Sequence, residues 1–109
     1  MKKLILLMII SIFANAEYCA KLNCITKIEK IYTEADGNVY IGTTGDEKLA
    51  NCSPAAGVYF TLDTSSKNSD LTYSTLLSAF LSNKMVNIRI VEGSQGCKIS
   101  YIVLDSNYK

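Results

Sequence analysis

Histidine is missing from the chain, as is tryptophan, and Pro54 is the lone proline. Without histidine there is no general base titrating near neutrality, no Ser-His-Asp or Cys-His triad, and no imidazole to hold a metal. Runs of basic residues are also missing, so nothing resembles the clustered Lys and Arg that grip a phosphate backbone, and a nucleic-acid partner is not expected. No glycine-rich loop has the spacing of a phosphate cradle. The longest apolar run, Leu4 to Phe13, is about half of the roughly 20 residues that a membrane span requires.

That run belongs to a different pattern. Met1-Lys2-Lys3 is a short positive segment, Leu4–Phe13 is interrupted only by Ser11, and Ala14-Asn15-Ala16 has the small-x-small form of a cleavage site. Residues 1–16 read as a secretory signal peptide, which predicts a secreted or periplasmic protein with no membrane span after cleavage. A lipid anchor is not expected, because Cys19 follows Glu17 and Tyr18 rather than small residues. Residues 17–109 then form one small domain. Loss of Lys2 and Lys3 leaves nine Lys+Arg against ten Asp+Glu, a net charge of −1.

Four cysteines remain, Cys19, Cys24, Cys52 and Cys97. An even count in a short exported chain reads as two disulfides. Three pairings are open. The favoured one joins Cys19 to Cys24 as a local loop and Cys52 to Cys97 as a long-range staple. A zinc site is disfavoured, since there is no C-x-x-C pair and no histidine. No metal or other cofactor is expected.

The stretch Thr72–Val91 (TYSTLLSAFLSNKMVNIRIV) changes period midway. Tyr73, Leu76, Leu77, Phe80 and Leu81 fall on one helical face. After a break at Ser82-Asn83-Lys84, Val86, Ile88 and Ile90 alternate with Asn87 and Arg89, the pattern of a half-buried strand. Upstream, Cys24–Thr33 is ambiguous: Ile25, Ile28, Ile31 and Tyr32 could line a helix face, but the β-branched content favours a strand, with an irregularity such as a bulge reconciling the spacing. Asp36-Gly37 turns it into Val39–Thr43, a hairpin. Thr44–Ala56 reads as a loop pinned by Cys52, and Gly57–Asp63 as a strand with Val58, Phe60 and Leu62 on one face. Ser69 or Asp70 is expected to cap the helix. Cys97–Asp105 closes as a strand paired with Met85–Val91. The order is strand, strand, strand, helix, strand, strand: a mainly β domain with one helix, matching an OB-fold, a five-stranded partly open barrel.

Carboxylates are scattered, and no pair has a spacing that points to catalysis, so the chain is not expected to be an enzyme. The seven tyrosines are more suggestive, because tyrosine offers a flat apolar face and a hydroxyl suited to sugars and protein interfaces. Tyr73 is expected on the helix core face, and Tyr40, Tyr59 and Tyr101 in strands.

GVYFTLD, then YSTLLSAFLSNKMVNIRI, then a glycine turn and Cys97 before ISYIVL, resemble the binding (B) subunit of subtilase-type AB5 cytotoxins and small bacterial relatives. The resemblance spans roughly Cys24 to Leu104. It implies an OB-fold subunit that assembles as a homopentamer, pairs with a toxin A subunit and binds cell-surface glycans. The toxin's glycan-contacting serine has no counterpart in Tyr18–Asn23, so the family's sugar site does not carry over, and the ligand-binding residues stay unassigned. A secreted binding module is the leading expectation. The alternative on the same fold is a monomeric accessory protein, such as an inhibitor or envelope factor, that docks another protein along an edge strand.

Overall fold

The structure is a computed structural model and describes residues 17–108; the expected signal peptide, residues 1–16, lies outside them. The domain is mainly β with one helix. β1 (Tyr18–Ala20) turns through Lys21-Leu22 into β2 (Asn23–Thr33), with Cys19 directly opposite Cys24. Those two cysteines are bonded, with Cα atoms 4.0 Å apart. The sequence pattern did not mark β1, because three residues are too few to show alternation.

β2 organises the sheet. Its first half pairs antiparallel with β6 (Met85–Ile90) and its second half with β3 (Val39–Thr43). A register shift lies between Ile28 and Lys30. Before it Cys24, Thr26 and Ile28 are buried; beyond it Ile31 packs against the core, one residue out of phase. This irregularity settles the segment as a strand, although Ile25 lies off its buried face, and it falls where β2 passes from its pairing with β6 to its pairing with β3.

β3 pairs with β5 (Phe60–Leu62), and β6 pairs with β8 (Ile99–Val103). The antiparallel order is β5-β3-β2-β6-β8, with β1 added on β2. The two ends of this order approach each other. Thr61 bridges Lys98 in parallel; its amide donates to the Cys97 carbonyl at 3.1 Å and its hydroxyl to the Gly96 carbonyl at 2.7 Å. Phe60, Ile41, Leu76, Val86, Ile88 and Ile90 fill the core inside this curl.

Strand β5 is shorter than the alternation of Gly57–Asp63 suggested. Val58 and Tyr59 both donate to the Ala55 carbonyl in a turn, so the strand begins only at Phe60 and Val58 is exposed. The segment 44–56 holds more than a loop. Glu47–Leu49 forms a 3-10 turn whose Lys48 amide is capped by Asp46 at 3.0 Å. β4 (Ser53–Pro54) pairs in parallel with β7 (Gln95–Gly96). The Cys52–Cys97 disulfide, with Cα atoms 4.9 Å apart, clamps this pair.

Helix α1 (Ser69–Ser82) packs on the sheet through Leu76 and Ala79, with Tyr73 half-buried. The expected face is rotated: Phe80 and Leu81 are exposed, and the small Ala79 is buried beside Leu76 instead. The expected cap also differs. Asn68 holds the N-cap position without a side-chain bond, while the Ser69 hydroxyl donates to the Thr64 carbonyl and locks the preceding connector. Asn83 ends the helix with a left-handed φ of 58°, and Lys84 donates to the Ala79 carbonyl at 3.0 Å, a Schellman-type stop. No helix among the described residues is long and apolar enough to cross a membrane.

Candidate functional site

Register brings three of the seven tyrosines together. Tyr32 of β2 lies directly opposite Tyr40 of β3. Two residues on, Lys30 pairs with Gly42, which has no side chain to occupy the sheet surface. Tyr59 fills that gap: a Cβ at Gly42 would stand 3.3 Å from its ring and 3.4 Å from the Lys30 Cβ. The ring centroids are 5.5 Å apart for Tyr32–Tyr40, 5.8 Å for Tyr32–Tyr59 and 6.0 Å for Tyr40–Tyr59. These are the separations and tilts aromatic pairs prefer. Tyr18, Tyr73, Tyr101 and Tyr108 take no part.

Polar groups edge the cluster. Partial burial of the Tyr40 hydroxyl, then the charges of Glu34 and Asp36, push its pKa above the usual 10.0. The Lys30 ammonium lies 5.8 Å from the Tyr59 centroid, a cation–π distance.

Beside Tyr59 opens a cleft of about 490 Å³. Its walls come from Glu29 and Lys30 of β2, the end of β3, the 3-10 segment through Lys48, and the Gly57–Tyr59 turn. Glu47 reaches this cleft from the 3-10 turn yet is only 5 % exposed. Its Oε2 accepts the Thr43 amide at 3.2 Å and the Thr43 hydroxyl at 2.8 Å. At the neighbouring corner Thr26, fully buried, accepts the Gly45 amide at 2.9 Å and donates to Glu17, which also accepts from Thr44. These bonds hold the cleft rim to β2. Among the described residues no buried side-chain polar atom lacks a partner.

The scattered carboxylates sort themselves in space. Glu29, Asp46 and Glu47 each line the cleft, Glu34 and Asp36 sit at the hairpin turn beside Tyr40, and Asp63 pairs with Lys98 at 3.9 Å. Among the described residues no three Asp, Glu, Cys or His converge as a metal site. The four cysteines are spent in the two bridges and offer no thiol. A second polar patch lies on β2, β6 and β8, where Arg89 stands 5.8 Å over the Tyr101 ring and Asn23 donates to Asn87 at 3.1 Å.

Sequence reasoning singled out the tyrosines as a class but missed Lys30, Gly42, Thr43 and Glu47. A glycine inside a short strand, Gly42, was the one signal available, since it marks close approach by another group. What the site can do follows from its parts: a tyrosine face for a flat apolar surface, and hydroxyl, carboxylate and ammonium groups for hydrogen bonds. Comparison of the chain with family models, curated proteins and solved structures finds no match.

Proposed function

We propose that this chain is an exported, non-enzymatic binding module on an OB-fold, and that it holds a glycan in the tyrosine-flanked cleft. The connectivity supports the fold: with the short β1, β4 and β7 set aside, β2, β3 and β5 precede α1 and β6 and β8 follow it, and the β5 end meets the β8 end in parallel at Thr61 and Lys98. The two disulfides suit an oxidising compartment, in keeping with the signal-like residues 1–16. The lack of histidine supports a role in binding rather than catalysis.

The observation that carries the glycan reading is the Tyr32–Tyr40–Tyr59 cluster beside a cleft lined by Thr43, Thr44, Asp46 and Lys30. A sugar offers an apolar C–H face to a tyrosine ring and a rim of hydroxyls to such groups. By its resemblance to AB5 binding subunits, the chain would present this site five times in a ring, deliver a toxin A subunit and gain avidity for a cell surface from several weak contacts.

The test is a glycan array on the exported protein, followed by titration calorimetry and light scattering. We expect a saccharide ligand, a pentameric mass, and about a tenfold loss of affinity in Tyr59→Ala, the scale of a lost stacking contact. Absence of binding to any saccharide would sink the reading. A monomer that binds none would turn attention to β8 as a docking edge for another protein, where Tyr101 is 48 % exposed and Val103 39 %.

A further inference from the structure

Glu47 is the only charged side chain buried among the described residues. Burying a carboxylate is costly unless a cation or a full set of donors compensates it. Both donors that reach Glu47 come from Thr43, and both fall on Oε2; no described residue donates to Oε1, and Glu47 lines the cleft. No Lys or Arg comes within 4 Å of it; the ion pair of the described residues is Lys98–Asp63. Lys30 and Lys48 also line the cleft, but Lys30 is drawn over the Tyr59 ring instead. That contact shows the ring face receiving an ammonium group. Glu29 and Asp46 add two further carboxylates at the walls.

From this arrangement we infer that the cleft selects a saccharide bearing a free, protonated amino group. The ammonium group seats on Glu47 Oε1 and gives the carboxylate a cationic partner, while the sugar ring lies against Tyr59. An N-acetylated amine is neutral and cannot fill that place, and a carboxylated sugar meets Glu29, Asp46 and Glu47 as like charges. The inference rests on the glycan reading and adds the charge of the ligand.

The experiment is calorimetric titration of the exported protein with a glucosamine tetrasaccharide and with its fully N-acetylated counterpart, at low and moderate salt. We expect the free-amine sugar to bind about tenfold more tightly, the scale of a hydrogen bond to a charged group, with the advantage shrinking as salt rises. Glu47→Gln, whose amide oxygen can still accept both Thr43 bonds, should erase that preference at an unchanged melting temperature. Equal or tighter binding of the acetylated sugar overturns the inference and leaves the glycan reading standing. No binding of either sugar, with none on the array, overturns both. The comparison of the two sugars on the unmodified protein decides the matter even if the variant fails to fold.

Discussion

At the scale of single residues, Asp63 stands where β5 runs into the connector before α1. Hydrogen bonds from the Ser65 hydroxyl and amide, with Lys98 nearby, hold its carboxyl below the ordinary 3.8. A carboxylate whose pKa is depressed in the fold stabilises fully above the unfolded value and loses that contribution as pH falls through the folded one. Melting temperatures taken downward from pH 5 should therefore drop less steeply in Asp63→Asn than in the unmodified protein, and a parallel descent would contradict the assignment. The tyrosine cluster belongs to this scale too, and it shows where reading residues stops. The chain states that there are seven tyrosines; it does not state that Tyr32 faces Tyr40, because that depends on a hairpin register set by the Glu34–Asn38 turn. Tyr59 is harder still, since its ring crosses to a strand that it does not belong to. Glu47 reads as one of three charged residues in a row, and only the folded 3-10 turn buries it.

At the scale of elements, the break between α1 and β6 is made by one residue. Asn83 takes a left-handed φ of 58°, a conformation that side chains other than Asn, Asp and Gly adopt at a cost. Asn83→Gly should be neutral or stabilising, and Asn83→Ala should cost about 1 kcal/mol, both measured by denaturant unfolding. Similar losses in both variants would mean that the side chain rather than the backbone matters. The helix, the β2–β3 hairpin and the β6–β8 pairing were legible because each repeats its period over several residues. The inward face of α1 was not. Leu76 and Ala79 win it over Phe80 and Leu81 because close packing on a curved sheet rewards a small residue, which hydrophobic counting undervalues. β1, β4 and β7 were invisible for another reason: strands of two or three residues carry no period, and partners and disulfides hold them in place.

At the scale of the molecule, the two bridges differ in what they restrain. Cys19–Cys24 spans five residues and closes a hairpin that already pairs, whereas Cys52–Cys97 spans 45 and ties the 44–56 segment to the turn before β8. Loop-closure entropy assigns the long bridge about 4 kcal/mol and the short one roughly half of that. The Cys52→Ser/Cys97→Ser double variant should therefore lower the unfolding midpoint more than Cys19→Ser/Cys24→Ser. Equal losses would show that local packing outweighs chain entropy. The mainly β class and single helix were legible from element order alone. The neighbours beyond those two hairpins were not, because the pairing of β2 with β6 joins residues some sixty positions apart, and alternation says which face is buried without saying which strand lies alongside.

The meeting of Thr61 with Gly96 and Cys97 has a kinetic consequence. Every other line of the sheet is a ladder of several rungs, but this seam rests on two hydrogen bonds from one threonine. We expect the sheet to open first along this line, so that hydrogen exchange finds the Thr61 amide less protected than those of β2 and β6. The disulfide at Cys97 sits at one lip of the seam, so each opening is short and reversible: the chain on that side is tethered and falls back into the same register.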